Sequence, residues 1–296
     1  MKEKLDGVLL FGYVSIIVFG VLCLLPFLAM ISISLSNEAA ILEKGYNLLP
    51  VKATFRAYST LFATANSIFR GYGVSLLVTS TGAVGSTLLM AMCAYALAHK
   101  AFRIKRAISF YIYITMLFSG GLLPTYIVIS NYYRLNGSLL ALILPVLIAP
   151  YFIFMLRTYL QGISFEIVES AKIDGANELT ICFRIMLPMA VPALAAVFLL
   201  RIFFYWNDWF QAMLFIQDKN LWPIQWWMYQ VMRNVSWIIQ NMSRSGILQQ
   251  QVNSLDLPVE SLRMAMAVVA AGPVIFVFLF LQKFFVKGIT VGAVKG

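Results

Sequence analysis

The amino-acid sequence predicts an all-α membrane protein with six transmembrane helices. Of its 296 residues, 61% are hydrophobic and only 11% are charged, whereas soluble domains average roughly 45–50% apolar and about 25% charged residues. Crossing a hydrocarbon core of ~30 Å takes about 20 predominantly apolar residues in a helix. Six stretches are long enough to do so: residues 8–35, 73–98, 107–129, 138–160, 189–216 and 262–286.

The first stretch, residues 8–35, is interpreted as a retained span and not as a cleaved signal peptide. It is longer than the ~7–15 apolar residues of a signal peptide, and no A-x-A-like cleavage site follows it. With the mixed external segment after it, this helix forms a predicted N-terminal part, residues 1–72. The other five spans belong to a predicted core domain, residues 73–296, which contains a polar loop at residues 161–188.

Helix-breaking residues are expected to interrupt three of the spans. Breaks inside a membrane are tolerated where neighbouring protein or a water-filled cavity satisfies the freed backbone groups. The first, third and fourth spans contain such residues, namely Pro26, Pro124, Pro145 and Pro150, with Gly120 and Gly121.

The distribution of basic residues predicts the orientation of the spans. Short loops rich in Lys and Arg face the cytoplasm, and residues 99–106 form the densest such loop. The two termini and loop 161–188 lie on the same side of the predicted membrane, so we expect them to be cytoplasmic. The basic residues on this side also include Lys2, Lys4, Arg157, Lys172, Arg184, Lys283, Lys287 and Lys295. This topology and anionic headgroups account for the net charge of +10, so no nucleic-acid partner is inferred.

The polar loop at residues 161–188 predicts two short helices joined by a sharp turn. Ser164 can cap a helix that runs to Asp174, and Gly175 can end it in the left-handed conformation. Asn177 can then cap a second helix at residues 178–187, which Pro188 separates from the fifth span. The sequence therefore predicts a bent elbow that protrudes into the cytoplasm.

The spacing of this loop resembles the coupling loop of bacterial ABC importer permeases. The resemblance rests on a pattern E-x-A-x-x-x-G, nine residues, then I-x-L-P, with Ser170 where the family has alanine. It implies the type I ABC importer permease fold and an elbow that docks into a cleft of an ATP-hydrolysing subunit. The pattern is formed by Glu169, Ala171, Gly175, Ile185, Leu187 and Pro188. The implied ATPase-coupling residues are Glu169, Ser170, Ala171, Lys172, Asp174 and Gly175. A polar loop that merely needs helix caps and exposed charge is the alternative.

Ionisable residues in the fifth span are candidates for a transport pathway. A charge at membrane depth costs several kcal/mol unless it faces water or a partner. One helical stripe is formed by the spacing of Arg201, Phe204, Tyr205 and Asp208. We expect this stripe to line a polar cavity with aromatic walls, a surface that suits sugar rings. A structural pair of Arg201 with Asp208 is the alternative.

Further segments resemble the carbohydrate branch of these permeases, especially those for alginate and pectin fragments. They are residues 118–126, 155–158, 171–176 and the W-N-D-W-F stretch at 206–210. The resemblance adds Trp206 and Asn207 to the predicted pathway residues Arg201, Tyr205 and Asp208.

The resemblance also implies the partners of this chain. They are a second homologous permease, two ATPase subunits that bind ATP and Mg, an extracytoplasmic solute-binding protein, the carbohydrate and membrane lipid. No cofactor, metal site or catalytic residue is expected in the chain itself, because it has no phosphate-binding loop, H-E-x-x-H or G-x-S-x-G motif. An ion-coupled secondary transporter using Asp208 and a structural membrane subunit without a pathway remain alternatives.

Two further expectations concern residues near the predicted membrane boundaries. His99 is expected to be a solvated interfacial residue. The tryptophans of the second external segment are expected to form an interfacial belt or to contact a sugar or a solute-binding protein. They are Trp222, Trp226, Trp227 and Trp237.

Overall fold

The computed structural model describes residues 7–63, 65–244 and 258–293, and the described residues contain helices and no β-strand. The first external segment contributes short helices between α1 and α4. The elements up to the second span are α1 Gly7–Ser34, α2 Glu38–Lys44, α3 Arg56–Phe62 and α4 Ala65–Ala98. The sequence-predicted cytoplasmic residues Lys2, Lys4 and Lys295 lie outside the described residues.

The middle of the chain consists of shorter helices. In order they are α5 Lys105–Leu117, α6 Leu122–Ile127 with a π-helical turn Val128–Tyr132, α7 Leu140–Ile143 with a 3₁₀ turn Leu144–Val146, and α8 Pro150–Gln161. Next come α9 Glu166–Ile173, α10 Glu178–Thr180 with a π-helical turn Ile181–Met186, and α11 Leu187–Met189. The last are α12 Val191–Asn207, α13 Phe210–Phe215, a 3₁₀ turn Lys219–Leu221, α14 Ile224–Arg244 and α15 Val259–Ala293.

Three of the described helices are long and apolar enough to span a membrane alone. They are Leu9–Ser34, Ala65–Ala98 and Val259–Phe280. Three bent helix pairs bring the number of candidate spans up to six if each pair crosses once. The bends are 115° between Lys105–Leu117 and Leu122–Tyr132, 54° between Leu140–Val146 and Pro150–Gln161, and 83° between Glu178–Met189 and Val191–Asn207.

The breaks follow the predicted helix breakers only in part. In the third span the chain turns at Gly121, whose φ of +86° is the left-handed region that glycine adopts without strain. In the fourth span the break immediately precedes Pro150. The predicted interruption at Pro26 is wrong, because α1 continues through that residue.

The contacts divide the chain into two compact units. One unit consists of Met1–Ile68 with Met228–Pro273, and the other of Phe69–Trp227 with Val274–Gly296. The predicted boundary between residues 72 and 73 stays a prediction.

In the first unit, the external segment closes over the start of α15. Glu38 in the first turn of α2 accepts hydrogen bonds from the backbone N–H groups of Glu260 and Ser261, at 2.9 and 3.1 Å, and from the Ser261 hydroxyl at 3.0 Å. Tyr46 donates to the Glu260 carboxylate at 3.0 Å. Because the first N–H groups of a helix have no partner within it, the Glu38 carboxylate acts as a cap for α15 from a distant part of the chain.

The core of the second unit is built around α4. Toward the end of α4, Met90 and Ala94 pack with residues of α8, α9 and α12 such as Leu156, Val168 and Val197, all nearly inaccessible to solvent. Nearer its middle, α4 packs through a second cluster against α7, α12 and α13. These two clusters place the polar loop and the fifth span against the same helix.

The cap on α15 gives a test of the fold. We expect Glu38→Ala to lower the stability of the chain by about 1–2 kcal/mol, because three donors lose their acceptor. Thermal unfolding of the purified protein in detergent measures the change. Glu43→Ala, at an exposed position of the same helix, is the matched control, and an equal effect of both changes would contradict the assignment.

Candidate functional site: a bent helical elbow and a buried polar cluster

The first arm of the elbow is α9, and local signals determine its ends. Ser164 Oγ accepts a hydrogen bond from the Glu166 N–H at 3.4 Å, but Phe165 occupies the N-cap position of α9, so the predicted Ser164 cap is wrong. At the other end Gly175 has φ +82°, and the Ala176 N–H donates to the Ala171 carbonyl at 2.9 Å. This bond across five residues is the mark of a glycine-terminated helix. The predicted first helix and its glycine stop are confirmed.

The second arm runs from Glu178 to Met189. The Asn177 side chain accepts from the Thr180 N–H at 2.8 Å, so the predicted cap is present. The arm contains a π-helical turn, and the 83° bend follows its end at Met189. Pro188 therefore lies inside the last turn, and the second arm ends two residues later than predicted.

Burial divides the predicted coupling residues of the elbow into one that packs inside the chain and others that face outward. Ala171 is only 7% exposed and packs within the core cluster that contains Val168 and Cys182. Its small side chain therefore permits close packing inside this chain and does not face outward. The side chains that do face outward include Glu169, Ser170, Asp174 and two apolar residues that the sequence analysis missed, Ile173 at 87% and Leu179 at 64% exposure. Apolar residues within a polar loop were the available signal.

A polar joint holds the two arms of the elbow to α4. The Glu178 carboxylate accepts a hydrogen bond from Tyr95 Oη at 2.8 Å and pairs with Lys172 Nζ at 2.6 Å. His99 Nε2 lies 3.7 Å from the same carboxylate. The Lys172 hydrogen bond, aided by that of Tyr95, lowers the pKa of Glu178, so the joint carries an ionised carboxylate at neutral pH.

The polar joint is defined as Tyr95, His99, Lys172 and Glu178. Lys172, one of the predicted coupling residues, pairs across the Gly175 turn with the opposite arm, and its predicted contact with an ATPase subunit stays a prediction. The expectation that His99 is solvated is wrong, because its side chain is only 11% exposed. Its Nδ1 accepts from the Ala101 N–H at 3.2 Å, and its Nε2 lies 3.2 Å from Lys172 Nζ and 3.7 Å from the Glu178 carboxylate. Sequence spacing gave no signal for a contact between residues 95 and 178.

The buried polar cluster of the fifth span braces the broken fourth span. Arg201 Nη2 donates to the Val146 carbonyl, and Tyr205 Oη donates to the Ile143 carbonyl at 3.2 Å. Both side chains are 3% exposed, and the guanidinium lies over the rings of Phe204 and Tyr205, at 4.6 and 4.8 Å. Both carbonyls lie just before the 54° break. The two side chains therefore supply hydrogen-bond donors where a helix in an apolar surrounding has lost its own.

Close packing against α4 secures this cluster. A Cβ added to Gly82 would lie 2.6 Å from the Tyr205 ring, which is well inside van der Waals contact. Only glycine at this position lets the Tyr205 ring lie directly against the α4 backbone. The brace therefore connects three elements: α4, the broken fourth span and α12.

The W-N-D-W-F stretch is a helix break and not the interior of a helix. The α12 helix ends at Asn207, and Asp208 Oδ1 accepts from the N–H groups of Phe210 and Gln211 at 3.0 and 3.1 Å, so Asp208 caps α13. The predicted helical stripe is therefore wrong for Asp208, because this residue lies beyond the end of α12 and caps the next helix. The alternative of a buried Arg201–Asp208 ion pair is also wrong, since the described residues show no such pair.

Two more aromatic positions complete the surroundings of this break. Trp206 is 3% exposed and its ring lies 6.1 Å from that of Tyr72, whereas Asn207 is exposed and donates to the Phe203 carbonyl at 2.8 Å. Trp226 is 4% exposed and stacks on Trp209 with ring centroids 6.3 Å apart. The interfacial-belt expectation is wrong for Trp226, which is a core residue.

The comparison with protein families matches most of the chain. Residues 86–291 match the family described as "Binding-protein-dependent transport system inner membrane component". This region is more than two thirds of the chain and includes the elbow, the polar joint and the brace.

Relatives with curated descriptions match along the whole length. The chain is 34% identical over 296 residues to the polygalacturonan/rhamnogalacturonan transport system permease protein YtcP of Bacillus subtilis (strain 168), covering 100% of both. It is 28% identical over 285 residues to the arabinooligosaccharides transport system permease protein AraQ of the same organism, covering 94% of this chain and 92% of the relative.

A solved structure has the same fold. The crystal structure of a bacterial ABC transporter involved in the import of the acidic polysaccharide alginate matches with a TM-score of 0.78 and 26% identity, covering 96% of this chain and 99% of that one. Taken with the full-length identity to sugar permeases, the family match establishes that the chain belongs to the inner membrane components of binding-protein-dependent transport systems, as a transport subunit and not an enzyme.

Proposed function

We propose that this chain is one of two homologous permease subunits that form the pathway of a carbohydrate ABC importer. Six spans of the type I permease fold cross the bacterial inner membrane, with both termini cytoplasmic. Two ATPase subunits bind ATP and Mg at the cytoplasmic elbows, and a solute-binding protein delivers the sugar outside. The observation that carries this proposal is the bent elbow, whose two arms are held to α4 by one ionised carboxylate.

The substrate class proposed is an oligosaccharide or polysaccharide. Support comes from the relatives, whose names specify polygalacturonan, rhamnogalacturonan and arabinooligosaccharides, and from the alginate importer. Two of these cargoes, polygalacturonan and alginate, are chains of acidic sugars, so uronic oligosaccharides are the first to assay.

The elbow is proposed to receive force through its exposed tip. Glu169, Ser170 and Asp174 offer polar contacts, and exposed Ile173 supplies apolar area of the kind that anchors an interface. Ala171 and Gly175 act by shaping the elbow, and Lys172 acts by fixing its angle. Closure of the ATPase dimer moves the tip, and the polar joint passes that movement to α4.

The pathway is proposed to run past the break between α12 and α13. Asn207 is exposed there, and Asp208 keeps one carboxylate oxygen beyond the two N–H groups that it caps. The break is supported by three residues that are buried within the chain and do not reach the sugar, namely Arg201, Tyr205 and Trp206. The pathway residues predicted from sequence thus divide into two that can meet a sugar and three that hold them in place.

The turn at Gly175 tests the elbow and the energy source together. We expect Gly175→Val to abolish ATP-driven uptake of uronic oligosaccharide into proteoliposomes that carry no ion gradient, because a left-handed conformation costs an L residue ~1–2 kcal/mol and a β-branched one more. Gly175→Asn, which tolerates that conformation, is expected to retain uptake. Uptake by the wild-type complex that requires an ion gradient and not ATP would overturn the proposal.

The polar joint predicts a specific loss of coupling. In Glu178→Ala both Tyr95 and Lys172 lose their acceptor, so we expect the sugar imported per ATP hydrolysed to fall several-fold. Because Tyr95 acts through Glu178, adding Tyr95→Phe to that variant should cause no further loss. The control is Glu166→Ala, an exposed carboxylate of the other arm. Unchanged stoichiometry in Glu178→Ala would contradict a mechanical role.

The division between pathway and brace predicts opposite signatures for neighbouring residues. Tyr205→Phe leaves the Ile143 carbonyl without its donor and should destabilise the complex by about 1–3 kcal/mol, lowering basal and substrate-stimulated ATPase together. Asn207→Ala should leave thermal unfolding unchanged and alter only the substrate-stimulated rate. If Tyr205→Phe changed the substrate response without lowering stability, the brace assignment would be wrong.

A further inference from the structure

A half-enclosed cavity of about 270 Å³ lies beside the elbow, where three membrane helices end. Its lining comes from the last residues of α4 and α8, the first residue of α5, and the segment that leads into α9. The cavity therefore opens at the boundary between the spans and the loop that contains the coupling motif. Neither the sequence motif nor the transport pathway assigns it a role.

The charge of the cavity is entirely positive. Lys100 and Lys105 contribute two ammonium groups, and none of the eleven lining residues is acidic. In the described part of the chain neither lysine pairs with a carboxylate. Glu178, the acidic residue near His99, is already occupied by Lys172 and Tyr95.

Both ammonium groups are held in place without being neutralised. Lys105 Nζ donates to the carbonyls of His99 and Lys100 at 3.2 and 3.3 Å, which orients the group and leaves it a third N–H. Lys100 Nζ lies 4.4 Å from the centroid of the Phe165 ring, a cation–π contact. Two fixed cations without a counter-charge favour an anionic ligand.

The apolar part of the lining indicates which chemical groups are attached to the anion. Leu160, Phe165 and Val168 contribute apolar side chains to the same lining. A phosphate with glycerol or acyl carbons attached matches this arrangement, and basic pockets between membrane helices bind lipid headgroups in this way.

We propose that this cavity is a binding site for a phosphate group, carried by an anionic phospholipid or present as free phosphate. Its cytoplasmic location rests on the orientation proposed above, whereas binding itself does not. Phe165 immediately precedes the first arm of the elbow, so an occupied site holds the start of that arm against the ends of α4 and α8.

The test measures binding to the purified importer complex by native mass spectrometry after delipidation. The added probes are phosphatidylglycerol, zwitterionic phosphatidylcholine and inorganic phosphate. The pocket variant is Lys100→Gln with Lys105→Gln. The matched control is Arg103→Gln with Arg106→Gln, which removes two charges from the same loop at exposed positions outside the cavity.

We expect the pocket variant to lose phosphatidylglycerol affinity about tenfold or more, given the contribution of each basic residue near a membrane. The control variant should keep it, and phosphatidylcholine should not bind detectably to either. Lys100→Arg with Lys105→Arg should restore binding, which separates lost charge from misfolding.

Inorganic phosphate distinguishes the source of the ligand. If millimolar phosphate raises the unfolding temperature of the wild-type complex but not of the pocket variant, the site takes the free anion. Equal loss of phosphatidylglycerol in pocket and control variants, with no phosphate effect, would reduce the cavity to part of a diffuse basic surface and overturn the proposal. Because none of these measurements involves transport, their failure leaves the proposed importer function untouched.

Discussion

The ionised carboxylate of Glu178 is the interaction on which the working part of this molecule depends. It lies at the start of the second arm, accepts a hydrogen bond from the Tyr95 hydroxyl of α4 and pairs with the Lys172 ammonium of the first arm, and thereby connects three elements. Isolated helices of this length are marginal, and both arms are also held to α4 by the core cluster that contains Val168, Ala171 and Cys182. The ion pair across the Gly175 turn therefore adds a polar link between the arms to this apolar packing.

A second constraint acts within the apolar spans, where a broken helix must still satisfy its backbone groups. Pro150 begins α8 and has no N–H for the Val146 carbonyl, and the Leu147 N–H bonds to the Leu144 carbonyl, so the α-helical pattern is not continued at the carbonyls of Ile143 and Val146. Arg201 and Tyr205 supply the missing donors from the neighbouring helix. The buried charge of Arg201 is stabilised without an acidic partner by the Val146 carbonyl and by the faces of the Phe204 and Tyr205 rings.

How much of this could be predicted from sequence depended on the range of the interactions. The turn of the elbow was predictable because it is set by two neighbouring residues, Gly175 with its positive φ and Asn177 with its side-chain cap. The direction of the Ala171 side chain was not predictable, because the spacing of a motif does not show which face of a helix packs inside the chain. Asp208 was misplaced because helical spacing was extended through a residue type that readily caps a new helix.

The contacts that carry the mechanism are the ones no local pattern contains. Tyr95 meets Glu178 across more than 80 positions of sequence, and Arg201 meets a backbone carbonyl whose availability depends on a break elsewhere. Either contact requires that the packing of α4, α8 and α12 be known first. Residue types still constrain the choice, because an ionisable group in a span requires a partner, and Arg201 has one in the Val146 carbonyl.

One helix brings the two working parts together. Gly82, against which Tyr205 packs, and Tyr95, which binds Glu178, both lie on the uninterrupted helix α4. They are thirteen residues apart, or about 20 Å at ~1.5 Å per residue. We propose that an uninterrupted helix transmits displacement of the elbow to the cluster around Tyr205. The polar joint and the glycine contact then make α4 the proposed route from the elbow to the break between α12 and α13.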